Sequence, residues 1–348
     1  MTLSWILTPE RRVRRSRTLR SMKAWRVHEL GEPESVMRLD DVDDVAAGPG
    51  EVVIDVAAAS LNFPDVLMCR GEYQVKPPLP FTPGAEVSGT VSALGDGADA
   101  SLLGRRVIAI PRFGLGGFTE QTVSPTATVF PIPDSLSDAA ASALHVTYQT
   151  GHVALHRRAH LQPGETLLVH AGAGGVGSAA IQLGRAAGAR VIATAGGAEK
   201  VKVCEDLGAE LVIDYRAGDF VDAVKEFTGG RGADVIYDPV GGDTYDRSTK
   251  CIAFEGRILI IGFTGGRFAD ARTNHVLIKN YAVVGVHWGL YNLMQPKFVH
   301  ETHAELMKLH ESGQIAPLIS RELAMTDVPA ALASLATRGT WGKLVARW

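Results

Sequence analysis

The sequence predicts an α/β protein in which a β-rich unit is joined to a doubly wound parallel sheet. A chain of 348 residues is long enough for two domains. Short apolar runs before Pro131 give way to apolar strands that alternate with helices. A glycine-rich turn at residues 171–177 joins the first of these later strands to a helix.

Apolar runs broken by Gly and Pro predict the strands of the β-rich unit, from Met22 to about Phe130. The runs are residues 22–30, 51–60, 86–95, 105–114 and 116–124. One short helix is predicted at residues 63–71, with Asn62 or Asp65 as its start signal.

The later part of the chain is typical of a parallel sheet covered by helices on both faces. A helical stretch spans residues 137–158, and apolar strands follow at 166–172, 190–196, 210–215, 234–240, 257–263 and 281–286. The intervening helices are predicted at 176–187, 199–207, 220–227 and 245–253. Two further helices, 298–313 and 327–339, precede a last strand at 342–348. We expect this tail to pack back on the first unit.

Composition excludes several classes of protein. The net charge of −3 creates no field that would attract nucleic acid or an anionic membrane surface. No run of about 18 apolar residues exists that could span a membrane. The cysteines are three in number and far apart, which fits a reducing, cytoplasmic setting better than a disulfide scaffold.

Residues 1–21 form a basic leader with six arginines between Arg11 and Arg20. The leader contains too little apolar surface to order itself, so we interpret it as disordered and functionally inert. An arginine-rich sorting peptide is the alternative.

The glycine-rich turn carries the strongest motif, since Gly172, Gly174 and Gly177 form G-x-G-x-x-G between a strand and a helix. The first glycine allows the tight turn, the second allows close approach of a pyrophosphate, and the third allows the helix to pack on the strand. With Gly175 and Val176, the turn places a helix N-terminus against the anion. The context predicts a dinucleotide site.

The end of the second strand favours NADPH over NADH. NAD-preferring folds place Asp or Glu there to bond the ribose 2′-hydroxyl. This strand ends at Ala195 and Gly196 without an acid, and Lys200 follows in the next turn. A small, uncharged strand end leaves room for a 2′-phosphate that Lys200 would neutralise.

These motifs, taken together, resemble the medium-chain dehydrogenase/reductase superfamily, and within it the quinone oxidoreductase branch that includes zeta-crystallin. The resemblance covers about Met22 to Trp348. It rests on Asn62-Phe63-x-Asp65, Gly71-x-Tyr73, Pro83-Gly84-x-Glu86, the AGAGGVG turn, Leu207-Gly208-Ala209, Asp238-Pro239-Val240-Gly241 and Gly342-Lys343.

The resemblance implies a GroES-like catalytic domain, residues 22–145 and 286–348, interrupted by a Rossmann NADPH-binding domain at 146–285. It implies an active site between the domains and homodimers paired through the edges of the Rossmann sheets. Asn62, Tyr73 and Thr150 are expected near the nicotinamide or the acceptor. The residues expected to bind the cofactor outside the glycine turn are Gly196, Lys200, Tyr215, Val240, Gly262, Phe263 and Arg338.

No catalytic or structural metal is expected. Zinc-dependent relatives carry a Cys and a Gly-His-Glu, whereas this chain has Asn62-Phe63 and Gly84-Ala85-Glu86. Catalytic zinc needs three protein ligands. His300 and His303 are spaced i, i+3 on a predicted helix and are interpreted as part of a solvated helix face.

The expected chemistry is hydride transfer to a quinone or a small α,β-unsaturated carbonyl, whose π-system delocalises the incoming charge. Tyr73 is the best candidate to donate a proton or bond the acceptor oxygen, with a buried structural tyrosine as the competing interpretation. Cys69 is interpreted as a small buried hydrophobe. An enoyl-thioester reductase and an NADPH-binding protein with little turnover, acting as a redox sensor or on nucleic acid, remain as alternatives.

Overall fold

The computed structural model describes residues 21–348. The predicted basic leader therefore lies outside the described residues, except for Ser21, which begins the first strand. Between residues 21 and 348 no helix is both long enough and apolar enough to cross a membrane.

The first part of the chain is rich in strands, as the short apolar runs predict. Its strands are β1 (Ser21–Val27), β2 (Met37–Asp43), β3 (Glu51–Ser60), β4 (Val87–Leu94), β5 (Arg106–Ala109), β6 (Gln121–Pro125) and β7 (Val129–Pro131). Its helices are α1 (Pro33–Val36) and α2 (Phe63–Arg70). Helix α2 begins after Asn62, whose backbone N–H donates to the Asp65 carboxylate at 2.8 Å. The two predicted start signals, Asn62 and Asp65, therefore cap the helix together.

The middle of the chain forms a six-stranded parallel sheet with the order β10-β9-β8-β11-β12-β13. Helix α3 (Asp138–Ser142) comes before this part and packs on the first sheet, where Ala139 joins Ala58 in a buried cluster. The elements of the parallel-sheet part are α4 (His145–His152), β8 (Thr166–Val169), α5 (Gly175–Ala186), β9 (Arg190–Ala195), α6 (Ala198–Asp206), β10 (Leu211–Asp214), α7 (Phe220–Phe227), β11 (Ala233–Asp238), α8 (Gly242–Ser248), β12 (Ile252–Ile260), α9 (Thr273–Lys279) and β13 (Ala282–Gly285). This is the doubly wound order, which places the ligand crevice at the carboxyl ends of the strands.

The tail returns to the first sheet, as expected. It contains α10 (Tyr291–Met294), α11 (Pro296–Glu311), β14 (Ile319–Ala324), α12 (Val328–Ala336) and β15 (Lys343–Arg347). Strand β15 pairs with β3, and the resulting sheet has the order β14-β15-β3-β4-β5-β7, with β6 also on β3. The protein is thus a two-domain α/β structure with one mixed and one parallel sheet.

Two helix predictions are wrong in their extent. The single helix predicted at 137–158 is divided into α3, α4 and a π-helical segment at 153–158. At the junction, the Val146 N–H donates to the Glu86 carboxylate at 2.8 Å, a contact that no local pattern encodes. The helix predicted at 245–253 ends at Ser248, because Cys251 O accepts from Ala233 N at 2.9 Å and the chain there joins β11.

Four histidines are buried in the core: His145, His152, His170 and His303. The interpretation of His303 as a solvated helix residue is wrong, since α11 turns it inward, where its Nε2 lies 3.3 Å from Pro131 O. His300 contacts Ala127 O at 2.9 Å through its Nε2. Burial lowers the pKa of His303 and of His152 to about 4, and that of His170 to about 3.

We expect the free energy of unfolding to fall as the pH drops below about 6.5, the pKa of an unfolded histidine. The buried imidazoles stay neutral while the unfolded chain takes up protons, so stability rises with pH between about 4 and 6.5. Each such histidine contributes up to about 1.4 kcal/mol per pH unit. Chemical denaturation at pH 4.5, 5.5, 6.5 and 7.5 checks the slope.

The variant His170→Asn should reduce that slope, whereas His160→Asn, at an exposed position, is the control. A stability that is flat over this window would contradict neutral buried histidines.

Candidate functional site

The glycine-rich turn lies at the carboxyl end of β8, where the chain enters α5. Gly172 N donates to Thr194 O at 2.9 Å and so ties the turn to β9. A Cβ at Gly177 would lie 2.2 Å from Ala171 O, and one at Gly172 would lie 2.9 Å from the Cys204 sulfur. A side chain at Gly177 would collide with backbone, and one at Gly172 would collide with packed side chains, so both positions leave no space for a Cβ.

Helix α5 presents its N-terminus at this turn, starting at Gly175 after Gly174. The first N–H groups of a helix lack partners within the helix and carry the positive end of its dipole. The Gly174 N–H already donates to Ala171 O at 2.9 Å, so Gly175 and Val176, the first two residues of the helix, are the backbone donors available to an anion.

A second part of the site lies at the ends of β9 and β10, where Gly196, Lys200 and Tyr215 come together with Arg216. A Cβ at Gly196 would lie 2.4 Å from the Tyr215 hydroxyl, and one at Gly197 would lie 3.0 Å from the Arg216 guanidinium. Burial, and then the Arg216 charge, lowers the pKa of Lys200. The structure thus brings two cations to the end of β9, which lacks an acid, while the Asp214 carboxylate at the end of β10 accepts from Gly197 N at 3.1 Å.

A third part lies at the ends of β11 and β12, where the backbone of Val240, Gly262 and Phe263 is packed closely. Asp238 holds the first of these turns, because its Oδ1 accepts from Val240 N at 2.8 Å and from Gly241 N at 2.9 Å. The Phe263 ring covers Gly241, whose Cβ would lie 2.9 Å from it.

Residues 338–342, which we call the closing segment, connect these parts. Lys200 Nζ donates to Arg338 O at 2.9 Å, and the Arg338 guanidinium donates to Thr264 O at 2.7 Å. At the other end, Gly342 N donates to Ala173 O at 2.7 Å. The closing segment therefore contacts one residue in each of the three parts of the site.

Asn62 lies in a buried polar cluster with Glu86 and Lys343. The Lys343 ammonium donates to Asn62 Oδ1 at 2.6 Å and to Glu86 Oε1 at 3.0 Å. Asn62 Nδ2 donates to the same Glu86 oxygen at 3.1 Å, and Ser60 Oγ is a further donor to it. Buried charges are stable only when paired and hydrogen-bonded, a condition that this cluster meets.

Asp65 holds the backbone beside this cluster, because its carboxylate accepts from Asn62 N at 2.8 Å and from Gly84 N at 3.0 Å. Burial raises the pKa of Asp65 to about 7, against the effect of these two bonds and of the Lys343 charge. Tyr73 lies within electrostatic reach of Asp65, and burial, followed by that charge, raises the pKa of its hydroxyl. Tyr73 therefore keeps its proton at neutral pH and remains a hydrogen-bond donor.

Thr150 is connected to the cluster through α4. Its hydroxyl donates to Val146 O at 2.6 Å, while Val146 N donates to Glu86. The structure thus brings Asn62 and Thr150 to one polar network. Trp288 is buried, and its ring centroid lies 5.2 Å from that of His145.

Comparison with known proteins agrees with this arrangement. Residues 48–134 match the family described as alcohol dehydrogenase GroES-like domain, and residues 175–306 match the one described as zinc-binding dehydrogenase. The quinone oxidoreductase-like protein 2 of Mus musculus is 36% identical over 91% of this chain and 89% of its own length. The human quinone oxidoreductase is 30% identical over 93% of this chain and 97% of its own. The chain belongs to the quinone oxidoreductase branch of the medium-chain dehydrogenase/reductase superfamily.

Solved structures of similar fold include the Escherichia coli quinone oxidoreductase complexed with NADPH. That structure has a TM-score of 0.87 and 29% identity, with 94% of this chain and 100% of that one covered. The CurK enoyl reductase has a TM-score of 0.84 and 26% identity over 94% of this chain and 99% of that one. The predicted family and fold class are confirmed, and the protein is an oxidoreductase.

Sequence reasoning gave no role to several polar residues of this oxidoreductase that the structure places in the site. Arg216 follows Tyr215 directly, and its position beside a residue already expected to bind the cofactor was a readable signal. Lys343 was readable too, as a charged residue at the start of an apolar closing strand. Trp341, whose indole donates to Glu199 at 2.8 Å, had no such signal because the contact joins residues 142 positions apart.

Among residues 21–348 no group of three or more His, Cys, Asp or Glu side chains is arranged to hold a metal ion. Cys69 is fully buried, as predicted, and burial raises the pKa of its thiol to about 12. The thiol is therefore not a nucleophile at neutral pH.

We expect Gly177→Ala to weaken NADPH binding at least about tenfold and to cost about 1–3 kcal/mol in stability, because the new Cβ collides with Ala171 O. Fluorescence titration and thermal unfolding measure the two effects. Gly218→Ala is the matched control, since nothing lies within 4 Å of a Cβ there. Equal binding by both variants would show that the turn does not hold the cofactor.

Proposed function

We propose that this oxidoreductase uses NADPH and transfers a hydride, without a catalytic metal, to a quinone or a small α,β-unsaturated carbonyl. The observation that carries the proposal is the positive charge of Lys200 and Arg216 around the acid-free end of β9, beside the glycine turn. A 2′-phosphate adds up to two negative charges to a dinucleotide, and this group of cations would neutralise them.

The residues present fit NADPH at each part of the site. The cradle of Gly172, Gly174 and Gly177 has no space for a Cβ at two of its three glycines. The N-terminus of α5 suits a pyrophosphate. Relatives of this chain include a quinone oxidoreductase structure complexed with NADPH, which supports the same cofactor here.

When bound, NADPH supplies the hydride at C4 of its nicotinamide. The chain's own residues then mainly position the acceptor and limit its contact with water. The Asn62 amide is held by Lys343 and Glu86, and the Tyr73 hydroxyl retains a proton that it can share with an acceptor oxygen. We propose that Asn62, Tyr73 and Thr150 border the acceptor, with Val240, Gly262 and Phe263 beside the nicotinamide.

The metal-independent chemistry is supported by the donor set around Asn62. The Glu86 carboxylate is committed to the Lys343 ammonium and three further donors, so its negative charge is already balanced by an organic cation. Asn62 Oδ1 is committed to the same ammonium. A conjugated acceptor delocalises charge itself and needs less electrophilic assistance than a simple carbonyl.

An enoyl-thioester reductase is the second candidate, because the CurK enoyl reductase shares the fold at 26% identity. Both reactions add a hydride to a polarised C=C bond. They differ in the acceptor, since a thioester substrate needs a groove for its acyl chain.

Oxidation of NADPH and NADH against quinones, small enones and an enoyl-CoA tests the proposal. We expect turnover with NADPH that favours a quinone or an enone and that is unchanged by a chelator. Preference for the enoyl-CoA would select the second candidate. Tight NADPH binding without turnover of any acceptor would contradict the proposal and favour a binding protein.

We expect Lys200→Ala to weaken NADPH binding about tenfold or more, with little effect on NADH, because a charged hydrogen bond to the 2′-phosphate contributes about 1.5–3 kcal/mol. Lys202→Ala on the same helix is the matched control, since Lys202 is paired with Asp206 instead. The ratio of the two dissociation constants is the measurement. An unchanged ratio in Lys200→Ala would place the 2′-phosphate elsewhere.

We propose a homodimer formed by pairing of two β13 edges. Strand β13 ends the parallel sheet, and large apolar side chains next to it are exposed: Leu277 and Ile278 at 75%, Leu293 at 79% and Met294 at 77%. Exposed sheet edges and apolar patches of this kind are sites of association. Sedimentation analysis should show a dimer that the Ile278→Asp substitution disrupts. A monomeric parent protein would contradict the proposed dimer.

We further propose a cytoplasmic location and domain boundaries at residues 22–145, 146–285 and 286–348. The pairing of β15 with β3 supports the return of the last segment to the first domain.

A further inference from the structure

Lys343 is a buried cation that begins β15, directly before the buried residues Leu344, Val345 and Ala346. Its side chain is 5% exposed, and its partner Glu86 is fully buried. Burial of two charges is costly, and a buried pair seldom adds stability relative to apolar residues of the same size. We therefore expect a functional role of the Lys343–Glu86 pair.

The antiparallel register places Lys343 opposite Asn62. Val345 is paired with Ser60, and Leu61 N donates to Leu344 O at 2.9 Å. Lys343, the residue before Leu344, therefore lies opposite Asn62. The contact joins residues 281 positions apart. It exists because the last strand completes the first sheet.

The ammonium helps to fix the orientation of the Asn62 amide. A lysine ammonium only donates hydrogen bonds, so the Asn62 atom 2.6 Å from it must be the carbonyl oxygen. The amide nitrogen then faces Glu86, which accepts from it at 3.1 Å. The amide nitrogen also donates to Ser60 O at 3.3 Å, and Lys343 is the donor that fixes the position of the amide oxygen.

Lys343 also touches the cofactor side of the crevice. A Cβ at Gly175 would lie 3.0 Å from Lys343 Cδ and 3.4 Å from Thr147 Cγ2. Just before the lysine, Gly342 forms a β-bridge with Gly174. The same side chain therefore packs on the glycine turn with its stem and orients Asn62 with its charged end.

We propose that Lys343 is a positioning residue that acts through Asn62. It holds the Asn62 amide in one orientation relative to the glycine turn, so that acceptor and nicotinamide are aligned for hydride transfer. This inference rests on the proposed function.

The variant Lys343→Met tests the proposal, because it keeps an unbranched apolar stem beside Gly175 and removes the ammonium. We expect kcat with a quinone to fall at least about tenfold, since small misplacements of reactants are costly. The dissociation constant of NADPH should change less than about threefold, because the glycine turn itself is unaltered. Lys297→Met is the matched control, at a lysine whose side chain is 90% exposed.

A double-mutant cycle with Asn62→Ala separates positioning from a direct or structural role. If Lys343 acts through Asn62, Lys343→Met should reduce kcat by less than about twofold in the Asn62→Ala background. Full additivity of the two effects would overturn the proposal. So would a folded Lys343→Met with unchanged kcat.

Two further measurements keep the test decisive. If Lys343→Met does not fold, the double variant Glu86→Gln/Lys343→Met replaces it, since both buried charges are then removed together.

The fluorescence emission of bound NADPH is recorded for every variant and does not require turnover. If the parent protein reduces no acceptor, the proposed function fails separately. The same emission change in Lys343→Met and in Asn62→Ala would still support positioning, and an unchanged emission in Lys343→Met would overturn it.

Discussion

The pairing of the last strand with β3 is the constraint on which the site depends. Strand β15 closes the first sheet, and to reach β3 the chain must cross the carboxyl ends of the parallel strands. That crossing is the closing segment, residues 338–342, which bonds to Lys200, Thr264 and Ala173 on its way. One strand pairing therefore brings Asn62, the glycine turn and the cations near β9 to a single crevice.

Electrostatics differ sharply between the two sides of this crevice. The cofactor side places Lys200 and Arg216 together at a partly exposed surface, where an anionic ligand would be attracted and neutralised. The acceptor side holds its charges in a buried network around Glu86 and Lys343 that is internally balanced. A balanced buried network positions groups with little motion, because every donor and acceptor already has a partner.

Local patterns predicted those elements whose formation is local. Helix α7 at Phe220–Phe227 agrees with its prediction residue for residue, and α5 starts within one residue of the predicted position. The helix predicted at 245–253 failed because Cys251 O is used by Ala233, a residue distant in sequence. His303 was misplaced for the same reason, since its i, i+3 spacing with His300 does not reveal that α11 packs that face inward.

By itself, the sequence determined the fold family, the glycine turn and the acid-free strand end that favours NADPH. These features are short-range, because each depends on residue types within one strand–turn–helix unit. Only the tertiary structure decided that Lys343 meets Asn62 and Glu86, and that Arg216 joins Lys200 near Gly196. Those contacts depend on strand register and on the packing of distant elements, and neither is written in the spacing of residues along the chain.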